Sequence, residues 1–158
     1  MDKNEIMIDT FNSIESLIQT FYDVISGTVD KERDWNKMRP LFIPGARLVP
    51  NSVVCGSLQL TAIDIDVYIQ NLIGFLNRSD FYEIGLIHHI EEYGNMASVT
   101  STYHARYFPD QSAPCKQGVN FIHLVNDGNR WWITGMIWKD ASPNHPIHEK
   151  YHRTPSPN

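Results

Sequence analysis

Residues 81–108 read FYEIGLIHHIEEYGNMASVTSTYHARYF, and the fold follows from this stretch. Two long runs flank Gly94-Asn95, a pair that accepts positive φ cheaply and so marks a tight hairpin. The first run, Phe81 to Tyr93, is expected as a strand. The return run, Met96 to Phe108, is rich in Thr, Val and Tyr, which suit a pleated surface. A loop over 109–114 leads to a third strand, Lys116 to Val125. Asn126-Asp127-Gly128-Asn129 is a second hairpin signal, and Trp131 to Trp138 forms the last strand.

Upstream the period changes from two to 3.6. From Asp9 to Ser26, Phe11, Ile14, Ile18, Phe21 and Ile25 recur at three- and four-residue steps, which predicts a helix with one apolar face. Asp9 or Thr10 is placed to cap its start, and Gly27 to end it. A second helix is expected over Asp30–Phe42, limited by Pro40. Arg47 to Val54 is strand-like, with Pro50 pointing to an edge or irregular strand. A third helix runs from Asp64 to about Arg78, with Ile65, Ile69, Leu72 and Leu76 as its stripe and Tyr68 and Phe75 flanking. Helices first and hairpin-linked strands afterwards predict an α+β fold. Three N-terminal helices would roof a curved antiparallel sheet, giving a cone with a pocket between the layers. Residues 1–141 are read as a single domain and 142–158 as a flexible tail.

The totals agree with that reading. The chain has 158 residues, with 42% apolar and 20% charged, the proportions of one globular domain. Its net charge of -5, with both signs interspersed, lacks the clustered basic face that nucleic acid requires. No run is long and apolar enough to span a membrane. The N-terminus lacks the basic and apolar regions of a signal peptide, and Cys55 and Cys115 are too few for a disulfide framework. A cytoplasmic protein with reduced thiols is expected. No cofactor is implied, nor a metal: His145, His148 and His152 lie in a Pro-flanked stretch and resemble a metal run in composition only.

Four phrases resemble the nuclear transport factor 2-like superfamily, and within it the SnoaL-like group of uncharacterised bacterial proteins. They are FYDVISG at 21–27, DWNKMRPLFIPGARLVP at 34–50, YGNMASVTSTYHAR at 93–106 and NDGNRWWITGMIW at 126–138. The resemblance covers about residues 9 to 140. It implies the cone fold, often dimeric, and a choice between cofactor-independent acid–base enzymes and non-catalytic modules. Steroid isomerase-like members place a carboxylate just after the second helix. Here the corresponding ionisable residue is Arg47, a departure from that pattern. Scytalone dehydratase-like members use tyrosines and paired histidines, for which Tyr22, His88 or His89, and His104 are available.

Strand alternation then selects candidate residues. On the second strand of the hairpin, Val99, Ser101, Tyr103 and Ala105 form the more apolar set and are assigned to the helices. His104 and His123 fall on outward sets. His88 and His89 are adjacent, so one alone points inward; that one is a candidate acid–base group, with Tyr22 as its counterpart. Asn120 interrupts an apolar strand set and, if buried, needs a partner. Tyr103 and Asn120 are expected to orient a ligand, Trp35 and Trp138 to line an aromatic pocket, and Arg47 to meet an acidic ligand group. Apolar residues on both faces of the last two strands point to a homodimer through the outer sheet face. The expected ligand is a small hydrophobic molecule, handled by an isomerase, cyclase or dehydratase; the alternative is a non-catalytic binding or assembly module.

Overall fold

The structure is a computed structural model that describes residues 11–152. The expected cap at Asp9 or Thr10 lies outside those residues. Helix α1, Ile14–Ile25, is capped instead by the Ser13 side chain, which accepts from the Ser16 amide at 3.0 Å. It ends at Ser26 and Gly27, where Gly27 has φ of +144°. Its stripe of Ile14, Leu17, Ile18, Phe21 and Ile25 is buried. Removing each such side chain from water contributes roughly 1.5–3 kcal/mol.

The second helix is shorter than expected. Helix α2 covers Trp35–Met38, and one 3₁₀ turn, Arg39–Leu41, follows with Pro40 in it. Residues before it are held as a loop by the buried Arg33, whose guanidinium donates to the carbonyls of Gly27, Thr28 and Lys31. Those carbonyls are thereby satisfied without a helix. Helix α3, Ile65–Leu76, starts at Asp64, whose side chain accepts from the Val67 amide at 2.9 Å.

Six strands make one sheet: β1 (Phe42–Val54), β2 (Ser57–Leu60), β3 (Tyr82–Tyr93), β4 (Met96–Arg106), β5 (Lys116–Asn126) and β6 (Trp131–Asp140). Their spatial order is β2-β1-β6-β5-β4-β3. The expected antiparallel pairing holds from β3 to β6, but β1 runs parallel to β6. The sheet is therefore mixed. β1 is also not an edge: β2, missed in the sequence, pairs with it from Asn51 to Val54 through a turn at Cys55 and Gly56. Both turn residues have positive φ, as a two-residue hairpin demands. Pro50 sits where pairing with β6 stops and pairing with β2 is about to begin, so its missing N–H costs little.

Bulges in β3 and β6 bend the sheet and reset its faces, and the register of β1 on β6 also shifts between Phe42 and Arg47. In β3, Gly85 pairs with Tyr103 but Ile87 with Thr102, leaving Leu86 as the extra residue. In β6, Leu124 pairs with Ile133 but His123 with Gly135, leaving Thr134 extra. Trp131 and Ile133 are buried before the second bulge and Met136 after it. The strict alternation read along 131–138 thus fails, and part of the two-sided hydrophobicity there comes from this switch of face.

The three helices cover the inner face of a curved, unclosed sheet. No helix among the described residues is long and apolar enough to cross a membrane. Residues 142–152, expected as part of the tail, lie against the outer face. Thr102 donates through Oγ1 to the Tyr151 carbonyl at 3.0 Å, and the rings of Tyr151 and Phe121 meet edge to face.

Candidate functional site

The last turn of α1 is stitched to the start of β3. Gly27 and Phe81 exchange backbone hydrogen bonds of 2.7 and 3.0 Å. Ser26 Oγ donates to the carbonyls of Tyr22 and Glu83 and accepts from the Glu83 amide at 2.9 Å. This brings Phe21, Tyr22 and Glu83 together under the same end of the helix. Across the gap, α3 supplies Tyr68. Between them the layers leave a cavity of about 160 Å³. Its wall is largely aromatic: Phe21 stacks on Tyr68 at 6.2 Å, Tyr68 meets Trp138 edge-on at 5.6 Å, and Phe75 meets Phe81 at 5.1 Å. Four polar side chains, Glu83, Tyr103, Lys116 and Asn120, complete the lining.

Two kinds of polar group occur on this inner face. Tyr22 belongs to the first. It is wholly buried, shares a 2.6 Å hydrogen bond with Ser101 Oγ, and accepts from Asn120 Nδ2 at 2.8 Å. Burial, opposed by those two bonds, raises its phenol well above the ordinary value. Tyr103 is similar. Its hydroxyl donates to Asp140 Oδ1 at 2.5 Å, and its phenol is raised by burial and by that carboxylate. Gly118 allows this, since a Cβ there would collide with the Tyr103 hydroxyl and the Lys139 carbonyl.

Glu83 and Tyr68 form the second kind. They are 8% and 9% exposed. Among the described residues, neither the Glu83 carboxyl nor the Tyr68 hydroxyl makes a hydrogen bond or ion pair. Burial pushes Glu83 up to about 7; Lys116 opposes this and Asp140 adds to it. Tyr68 is raised by burial first and by the Glu83 charge second. Neither oxygen is sealed off completely, and both groups line the cavity, so they look to it for a partner.

The expected site residues divide accordingly. Tyr103, Asn120 and Trp138 line the cavity, and Tyr22 reaches it only through Asn120. His88, restored to the inner face by the bulge at Leu86, stacks on Tyr22 at 6.3 Å and does not line the cavity. Gly85 makes room for that stack, because a Cβ would lie 2.5–2.6 Å from both rings. Burial lowers the His88 pKa, partly offset by Glu15. His89 falls on the opposite side of β3, paired with Thr100. Arg47 is exposed and reaches only the carbonyl of Ala46, at 3.5 Å; Trp35 packs on the core away from the cavity. Glu83, Tyr68 and Lys116 were missed. Glu83 shares its strand face with the apolar Phe81, and an acid in an apolar set was the available signal. Tyr68 lies four residues before Leu72, on the stripe of α3.

A larger hollow of about 300 Å³ lies on the other side of the sheet, between Phe121 and Ile137 and residues 145–151. Its ionisable groups are exposed or half-buried.

The sequence matches no family model, and no curated protein matches it significantly. Solved structures do resemble it. A protein from Novosphingobium aromaticivorans, provisionally named a scytalone dehydratase, superposes with a TM-score of 0.56 at 14% identity, over 88% of this chain and 87% of that one. A nuclear transport factor 2-like protein of unknown function from Silicibacter pomeroyi gives 0.51 at 12% identity, over 89% and 99%. A protein from Shewanella frigidimarina, provisionally named a ketosteroid isomerase, gives 0.51 at 14%, over 78% and 91%. At such identities the likeness shows the fold.

Proposed function

We propose, for a chain with the nuclear transport factor 2-like fold, that this cavity binds a small, largely hydrophobic molecule and exchanges a proton with it through Glu83. The observation that carries the reading is a carboxyl on a residue only 8% exposed, lining the cavity, poised near neutrality at about 7, and lacking a protein partner among the described residues. A group half-ionised at working pH serves both as base and as acid. Tyr103, fixed by Asp140, and Asn120, fixed by Tyr22, orient the ligand. The acid–base role expected of Tyr22 with His88 or His89 passes in this reading to Glu83, because those three do not line the cavity. The chemistry is a cofactor-independent proton transfer, as in isomerisation or dehydration. The provisional names of two structural neighbours are compatible with it.

The test is a carboxyl-carbon NMR titration of Glu83, with native mass spectrometry of the purified protein for bound ligand. A midpoint near 7 is expected. A midpoint at the ordinary ~4.3 would remove the proton-exchange role.

The crowding of aromatic rings favours a second reading, a binding module without turnover. There the cavity would retain a ligand unchanged, and Glu83→Gln would alter affinity but no rate. In either reading a homodimer forms through the outer face, supported by the exposed Ile84, Leu86, Phe121 and Ile137. Sedimentation of a monomer at micromolar concentration would exclude it.

A further inference from the structure

Resting on the assignment of Glu83 as the reactive group, we propose that the ligand of the cavity is a small aromatic or aliphatic amine, bound as its ammonium ion. The nitrogen would sit against Glu83 and Asn120, with the apolar body among the rings.

Charge bookkeeping carries the first step. Around Glu83, α1 presents Tyr22, α3 Tyr68, β4 Tyr103, β5 Lys116 and β6 Asp140. Lys116 is the single cation of that set. Its Nζ is 3.5 Å from Asp140 Oδ1, and both side chains are substantially exposed at the rim. One positive charge thus faces two carboxylates, and the rim carboxylate holds it. An ionised Glu83 keeps one negative charge that no cation in direct contact offsets. Such a charge in a low-dielectric pocket is costly until a counter-ion arrives.

Hydrogen-bond direction gives the second step. Asn120 places one Nδ2 hydrogen on Tyr22, which leaves Oδ1 and the second N–H of the amide unpaired. The free groups at the polar end then offer three acceptors, the Glu83 carboxylate, the Asn120 carbonyl and the oxygen of Tyr68, beside two donors, the Tyr68 O–H and the second Asn120 N–H. An ammonium supplies three donors and no acceptor. A carboxylate ligand would instead face Glu83, and an alcohol would leave its charge standing.

The third step is the wall. Phe21, Tyr68, Phe75, Phe81 and Trp138 crowd the same space. Aromatic faces attract a cation, by about 2 kcal/mol when it is desolvated.

The experiment is calorimetry with benzylammonium, benzyl alcohol and benzoate, on the unmodified chain at pH 8 and pH 6 and on Glu83→Gln. Benzylammonium is expected to bind tightest at pH 8, by about tenfold over benzyl alcohol. It should weaken about tenfold at pH 6, since Glu83 protonates between the two. It should lose its preference in Glu83→Gln. The pH series needs no variant, so a misfolded Glu83→Gln would not spoil the test. Equal or tighter binding of the alcohol or of benzoate overturns the amine and leaves the Glu83 reading intact. Failure of all three to bind overturns the amine alone if Glu83 titrates near 7, and both proposals if it titrates near ~4.3.

Discussion

Tyr22 and Tyr68 are two buried phenols on facing helices, and they differ in one respect. The hydroxyl of Tyr22 is enclosed by Ser101 and Asn120, whereas that of Tyr68 meets no protein partner among the described residues. Glu83 sides with Tyr68. The fold therefore closes the Tyr22 hydroxyl between Ser101 and Asn120 under α1, though His88 Nδ1 beside it has no hydrogen-bond partner among the described residues, and keeps an open cluster between α3 and β3. A closed cluster fixes the sheet to its helix and gains nothing from a ligand. An open cluster weakens the empty protein and is repaid when a ligand binds. The difference assigns structure to the first and function to the second.

The largest expected effect concerns the open cluster. An unfolded glutamate titrates near ~4.3, while Glu83 in the fold titrates near about 7. Below the lower value both states hold the proton, and nothing is lost. Between the two values the unfolded chain releases its proton while the folded one keeps it, so stability falls as pH rises. Above the upper value the loss is complete, on the order of 3 kcal/mol. Glu83→Gln should erase this slope, making the variant more stable than the parent at pH 8 but not at pH 4. Urea unfolding across that range measures it. Parallel curves for the two proteins would show that Glu83 is not desolvated.

The closed cluster gives the next effect. Tyr22→Phe leaves Asn120 Nδ2 and Ser101 Oγ facing a ring edge, with neither partner removed. The cost is about 1–3 kcal/mol of stability at every pH, because no titration is involved. Ligand affinity should fall only in part, through the loosened Asn120 amide, because Tyr22 itself does not line the cavity. A variant as stable as the parent, or one that loses binding while keeping stability, would move Tyr22 into the functional set.

How much of this was legible in the sequence depends on the distance over which each feature is decided. The helix stripe from Phe11 to Ile25 and the hairpins at Gly94 and Gly128 are local, and residue spacing specifies them. The inward assignment of Ser101, Tyr103 and Asn120 also followed from simple alternation and is matched by their burial. The choice between His88 and His89 was not local. Unbroken alternation from Glu83 would turn His89 inward. The extra residue at Leu86 turns His88 inward instead, and nothing in the run GLIHH marks it. The same holds for Thr134 on β6. The parallel pairing of β1 with β6 and the short β2 depend on contacts far apart in the chain, beyond the reach of periodicity. Glu83 was overlooked for a different reason. An acid in a strand ordinarily reads as solvated; its place on the same face as Phe81 was the one hint, and burial at 8% exposure is what establishes it.

Tyr68→Phe is the smallest predicted change and the sharpest discrimination. It removes the same oxygen from the same residue type as Tyr22→Phe, at a site 9% exposed against 0%. Loss of a hydroxyl matters to stability when it strands a partner, and Tyr68 has none to strand. The variant should unfold within about 0.5 kcal/mol of the parent, since only a hydroxyl with no protein partner is lost. It should also lower the Glu83 midpoint little, as no hydrogen bond joins the two in the empty protein. Ligand affinity, by contrast, should fall, because the hydroxyl is held for that encounter. A destabilisation as large as that of Tyr22→Phe would mean that Tyr68 belongs to a closed cluster after all, and the division between the two halves of the inner face would be lost.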